Sequence, residues 1–199
     1  MGRKAVDVVL LPSEAMMERD IEASRQLVDR FGSEIVLSRD DCLPHISLAM
    51  GCIDDGDIAN IRRVLQKVAK ECPPGELEVV GIETAVDSAG KMVSVFEVRR
   101  HEQIQLIHER VMREVSPYFS YDVSRDMIYG KGEVSETSLL WIRNYRGKSS
   151  FENFSPHITI GYGRAEDVPF PIIFDVERLA LCHLGNHCTC GKILVSVEI

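Results

Sequence analysis

Two short stretches of the chain hold residues able to do acid–base chemistry, Pro44-His45-Ile46-Ser47 and Pro156-His157-Ile158-Thr159. On an extended strand alternate side chains face opposite sides, so His45 and Ser47 share one face while Ile46 and Leu48 share the other. The same division sets His157 and Thr159 against Ile158 and Ile160. The apolar pair of each strand belongs to a core, and the polar pair is left facing solvent or a cleft. Proline biases the residue before it toward extended backbone, so both histidines should stand at the start of a straight strand.

If the two strands meet at one groove, two imidazoles and two hydroxyls converge there. Opening a cyclic phosphate with water, or cleaving a phosphodiester through a neighbouring hydroxyl, needs one group to accept a proton and another to donate one. Imidazole, with an unperturbed pKa of about 6.5, serves in either capacity near neutral pH. Ser47 and Thr159 would donate hydrogen bonds to the non-bridging phosphate oxygens, where charge gathers in the transition state. This chemistry calls for no metal and no cofactor.

The elements that must position these residues can be read from periodicity. A buried strand is expected over 5–11, and Pro12-Ser13 opens a helix with apolar Met17, Ile21, Leu27, Val28 and Phe31, stopped by Gly32. A short strand over 34–37 and a polar loop over 38–42 lead into the first motif strand, 43–51. Asp54 to Asp57 supply caps for a second helix whose stripe is Ile58, Ile61, Val64, Leu65, Val68 and Ala69, ended by Pro73-Pro74-Gly75. A hairpin with arms 77–86 and 92–98 turns at Asp87-Ser88-Ala89-Gly90, and 101–115 reads as a helix ending at Ser116-Pro117.

Residues 118–133 carry no clear pattern. Ser135 and Glu136 cap a short helix through 139–142, with a strand as the alternative. The second motif strand is 155–161, a loop with Pro169 and Pro171 follows, and a hairpin of 176–184 and 192–199 turns at Gly185-Asn186. Strands mixed with helices and several hairpins give an α+β protein with mainly antiparallel sheet. With one motif in each half, residues 1–199 read as a single bilobal domain.

Composition narrows the partners. With 45% hydrophobic and 27% charged residues the chain is ordinary for a globular protein. A net charge of -8 and a pI near 5.3 leave no basic face for gripping duplex nucleic acid. A phosphate substrate must be captured locally, which favours a nucleotide or an RNA terminus. The apolar run near the N-terminus is too short for a membrane or signal segment, so a cytoplasmic protein is expected. The six cysteines show no framework spacing and are expected to be free buried thiols.

The paired His-x-Ser/Thr strands resemble those of the two-histidine (2H) phosphoesterase superfamily, which includes RNA 2′,3′-cyclic phosphodiesterases, also called 2′,5′ RNA ligases. The resemblance extends over essentially the whole chain, with Ser47 where many members carry Thr. It implies two mainly antiparallel sheets facing a central cleft with helices packed outside. It also implies His45 and His157 as catalytic residues, Ser47 and Thr159 as phosphate-binding residues, and a substrate bearing a 2′,3′-cyclic phosphate or a 2′,5′ linkage.

Other residues invite a role. Tyr162, Arg164 and Lys131 are candidate contacts to a base or phosphate. Trp141, Phe151 and Phe154 could stack on a base, although filling the core is the commoner use of such residues. Cys182, His183, His187, Cys188 and Cys190 include enough soft ligands for zinc, but their spacing fits no finger pattern and no metal site is assigned. His101 and His108 are expected on a solvated helix face.

Overall fold

The computed structural model describes residues 2–87 and 89–199. Among the described residues four helices, α1 (Glu14–Phe31), α2 (Ile58–Glu71), α3 (Glu102–Val115) and α4 (Glu136–Lys148), accompany eight strands. The strands are β1 (Arg3–Pro12), β2 (Ile46–Asp54), β3 (Leu77–Val86), β4 (Met92–Val98), β5 (His157–Tyr162), β6 (Ile172–Phe174), β7 (Val176–Leu184) and β8 (Cys190–Glu198). The α+β reading holds, and every pairing between strands is antiparallel.

In place of two separate sheets there is one, in the order β6-β3-β4-β5-β2-β1-β7-β8. Its centre is a seam: β2 and β5 share only the pair Ile46–Ile158. Each side of the seam is a four-stranded half built around one motif strand. The halves are not successive stretches of chain, because β7 returns to pair with β1 and β8 pairs on the far side of β7.

The halves repeat each other in register. On one side Leu10 pairs with Ile46, Val9 with Ser47 and Val8 with Ala49, so a bulge passes over Leu48. On the other, Phe96 pairs with Ile158, Val95 with Thr159 and Ser94 with Gly161, so a bulge passes over Ile160. A bulge tightens local twist and re-aims the residues beside it. Here both motif strands bend at the same point relative to their histidine. Gly161 sits at this bend with φ 154°, where a Cβ would lie 2.8 Å from the Ser33 hydroxyl.

Helical periodicity places the core. The buried positions of α2 are Ile61, Val64, Leu65 and Val68, and those of α3 include Ile104, Ile107, Val111 and Val115. These two helices pack on each other and on β2, β7 and β8, while α1 lies along β5. The first helix stops as the sequence requires, with Gly32 at φ 66° donating to the Val28 carbonyl at 2.8 Å. Ser135 caps α4 by accepting from Ser138 N at 3.2 Å, which decides for helix at a segment where strand was the alternative. Among the described residues no helix is long and apolar enough to cross a membrane.

Several expectations are corrected. Residues 34–37 form no strand, although Ile35 and Leu37 are buried in alternation with exposed Glu34 and Val36. Serine hydroxyls take the place of a ladder: Ser24 accepts from Leu37 N at 3.1 Å, and Ser33 donates to the Ile35 carbonyl at 2.9 Å. The first motif strand begins at Ile46, with His45 just ahead of it, and β6 forms inside the stretch read as a loop. Ser88 of the β3–β4 turn lies outside the described residues.

His108 is fully buried instead of solvated. Its Nδ1 faces the bulge carbonyl of Leu48 at 2.8 Å, its Nε2 accepts from Phe151 N at 2.7 Å, and its ring stacks on Phe154 at 3.9 Å. Both nitrogens being satisfied, the side chain tolerates burial. His101 caps α3, accepting from Ile104 N at 3.3 Å. Nor are all six cysteines free. Cys182 and Cys190 face each other across the closing hairpin with Cα atoms 5.5 Å apart and form a disulfide.

Candidate active site

The seam sets the geometry of the motif residues. Carrying the Ile46–Ile158 register one residue to either side puts His45 across from Thr159 and Ser47 across from His157. Both isoleucines are fully buried. The four polar residues therefore occupy the opposite face, with the imidazoles on one diagonal and the hydroxyls on the other. All four line one cavity of about 330 Å³.

Each imidazole is held in the same way. Nδ1 of His45 lies 2.7 Å from the Leu43 carbonyl, and Nδ1 of His157 lies 2.8 Å from the Ser155 carbonyl. A carbonyl only accepts, so Nδ1 carries hydrogen and Nε2 is the basic atom of the neutral ring. In both motifs the accepting residue precedes proline, whose preference for an extended predecessor helps hold that carbonyl in place.

The electrostatics differ between the rings. Burial pushes His45 down to about 4, the Leu43 carbonyl opposes this, and the nearby His157 adds to it. Burial also lowers His157, but the Ser155 carbonyl and the carboxylate of Glu83 both favour its charged form. His157 is thus the more readily protonated of the two.

Among the other candidates, Tyr162 lines the cavity. Its hydroxyl donates to Asp87 Oδ2 at 3.3 Å and lies 3.0 Å from Nδ1 of His187, while burial, with Asp87 next, pushes the phenol up to about 12. Trp141 lines the cavity with 48% of its surface exposed. Phe154 is buried in the core and Phe151 packs against it. Arg164 and Lys131 are exposed and do not belong to the cavity wall.

The C-terminal Cys/His cluster is dispersed. The disulfide takes two of its members, His183 Nε2 lies 2.9 Å from the Met127 carbonyl, and His187 and Cys188 turn to the cavity. Among the described residues no group of three His, Cys, Asp or Glu side chains is arranged to hold a metal ion.

Sequence reasoning missed Glu83, Asp87, His187, Cys188 and Ser138 in the cavity wall. For Glu83 a signal was present: alternation along the β3–β4 hairpin puts Glu83 and Ala85 on one face with Val93 and Val95, their pairing partners. Asp7 was missed as well. It is fully buried on β1 behind the Ser47 strand, and neither carboxylate oxygen completes a hydrogen bond. Burial raises its carboxyl well above the usual range, and the neighbouring Ser47 hydroxyl and Ala49 backbone oppose that rise without reversing it.

The fold is shared with proteins of low sequence similarity. TT0787 of Thermus thermophilus matches 98% of this chain and 97% of its own at a TM-score of 0.67 and 14% identity. E. coli LigT in apo form matches all of this chain and 99% of its own at a TM-score of 0.54 and 10% identity. The structure of E. coli LigT complexed with 3′-AMP matches over the same shares at a TM-score of 0.50 and 11% identity. No curated protein is a significant match. A family model described as the 2′-5′ RNA ligase superfamily matches residues 18–186, a span that contains both histidine strands, and the chain belongs to that superfamily.

Proposed function

We propose that the protein is a phosphoesterase that hydrolyses nucleotide or RNA 2′,3′-cyclic phosphates, or 2′,5′ phosphodiester linkages, by two-histidine general acid–base catalysis. The observation that carries this reading is the arrangement of His45, Ser47, His157 and Thr159 about the Ile46–Ile158 pair, all facing one cavity. In hydrolysis, Nε2 of one imidazole takes a proton from water as its oxygen bonds to phosphorus. The bond from phosphorus to one ribose oxygen breaks, and the other imidazolium gives that oxygen a proton, leaving a 2′- or 3′-phosphomonoester. Ser47 and Thr159 hydrogen-bond the two non-bridging oxygens as their charge grows. Nδ1 of each ring stays on its carbonyl throughout, so the reacting nitrogen is aimed without reorganisation. The anionic substrate itself favours the protonated ring that burial disfavours in the empty cleft.

The structures of E. coli LigT with phosphate and with 3′-AMP support a nucleotide-sized phosphate ligand for this fold. The whole chain, residues 1–199, works in this reading as a single two-lobed unit. The test is turnover of nucleoside 2′,3′-cyclic phosphates, of a short RNA ending in one and of a 2′,5′-linked dinucleotide, in EDTA, by wild type, His45→Ala and His157→Ala. Turnover by the wild type that both folded variants lose establishes two-histidine catalysis without a metal. A wild type that binds nucleotides and turns over none of these substrates makes the protein a binding module.

A further inference from the structure

Resting on the proposed function, the structure assigns the cleft a narrower substrate class: a small cyclic phosphodiester with a single negative charge and an uncharged body, of mononucleotide size, in preference to the end of an RNA chain. Four observations converge on this. First, the cavity, at about 330 Å³, lies near the lower end of sizes that take small ligands. Second, among the described residues its wall contains no lysine or arginine. Lys91, which lies over the ring of the cavity residue Tyr162 at 5.2 Å, is bound to Glu34.

Third, the wall carries two carboxylates. Asp87 is occupied, accepting from Ala89 N, Lys91 N and the Tyr162 hydroxyl, whereas the exposed side chain of Glu83 has no hydrogen bond or ion pair among the described residues. Glu83 sits close enough to His157 to favour its charged form, so it stands beside the position where a phosphate would bind. Fourth, the rest of the wall is largely apolar, with Val86, Val93, Val95, Leu37 and Trp141 offering surface to an uncharged body.

One phosphate anchored by two imidazoles and two hydroxyls suits this cleft. A second phosphate, which every RNA terminus brings with its penultimate nucleotide, would meet Glu83 with no cation to offset it. Proteins that hold several phosphates use lysine and arginine and weaken steeply with salt. This cleft lacks the means for that.

The experiment compares kcat/KM for nucleoside 2′,3′-cyclic monophosphates with that for oligoribonucleotides ending in the same cyclic phosphate, from about 50 to 300 mM salt. The mononucleotide is expected to be favoured by about tenfold or more, and oligonucleotide turnover should hold steady or rise with salt as repulsion is screened. Glu83→Lys should shift the oligonucleotide-to-mononucleotide ratio toward the oligonucleotide by about three- to tenfold. Because that readout is a ratio, any general loss of activity through His157 cancels. An oligonucleotide favoured by the wild type, with turnover falling steeply in salt, overturns this inference and leaves the proposed function standing. A ratio unmoved by Glu83→Lys also overturns it. Failure to turn over either substrate removes the cyclic-phosphate reading of the proposed function, and this inference with it.

Discussion

The half of the sheet around His45 and the half around His157 share their register, their bulge and the tie from each imidazole to the carbonyl two residues earlier. They differ in what surrounds that frame. Asp7 pairs with Met50 at the position where Val93 pairs with Tyr162 in the other half, so a buried carboxyl stands where its counterpart is a cavity-lining valine. On the His45 side α4 packs against β2, and Tyr145 and Cys188 lie near enough to Asp7 to feel its charge. On the His157 side the wall is open and carries Glu83. A repeated backbone therefore fixes where the imidazoles and hydroxyls stand, while the unrepeated side chains around it decide how readily each imidazole takes a proton.

The comparison can be broken most decisively at the histidines. On the proposed function, each of His45→Ala and His157→Ala should lower kcat by about 10³-fold, and the double variant should lose little more, as two groups acting as a unit require. Single-turnover rates on folded protein measure this, and multiplying losses would refute a shared step. Next come the hydroxyls: Ser47→Ala and Thr159→Val should each cost about 10²-fold in kcat, with losses similar enough to reflect the two-fold arrangement. A loss confined to one would confine phosphate binding to one half.

The third test turns one half into the other. Asp7→Val removes a buried carboxyl that completes no hydrogen bond and should stabilise the fold by about 1–3 kcal/mol at pH 8 in urea unfolding. The pH dependence has a definite sign. The Asp7 carboxyl is raised in the folded state, so the native protein binds the extra proton and wild-type stability falls as pH rises above the unfolded value of about 3.9. The advantage of the valine variant should shrink toward pH 4, and an equal effect at both ends would mean that the carboxyl has a partner.

The smallest effect concerns titration. In NMR titrations of the ring protons His157 should protonate at higher pH than His45, which burial pushes down to about 4. Glu83→Gln should lower the His157 midpoint and leave that of His45 in place. Coincident titrations in the wild type would erase the electrostatic difference between the halves.

The motif residues were legible because a strand's two-residue period divides His-Ile-Ser/Thr into a buried and an open face with no knowledge of tertiary structure. The helices were legible because Ile61, Val64, Leu65 and Val68, or Ile104, Ile107 and Val111, recur with the helical turn. His108 was misread because its environment comes from distant residues, Leu48 and Phe151, that periodicity does not bring together. The 34–37 segment has the alternation of a strand, but Ser24 and Ser33 satisfy its backbone, and no local pattern reports a hydroxyl contributed by a helix. The disulfide depended on how β7 and β8 are paired, and Glu83 on which face of the hairpin meets the cleft.

The interleaving of the halves also bears on the order in which the protein assembles. The strands around His157 all come from residues 77–174, whereas those around His45 come from 3–54 and 176–198. Pairings that close short loops form sooner than those that bring distant segments together. The His157 half can gather from one continuous stretch, while β1 and β2 must wait for β7 and β8 to complete their side. During synthesis the apolar edge of β1 is thus kept waiting longest for its partner, because β7 is made only after every strand of the other half.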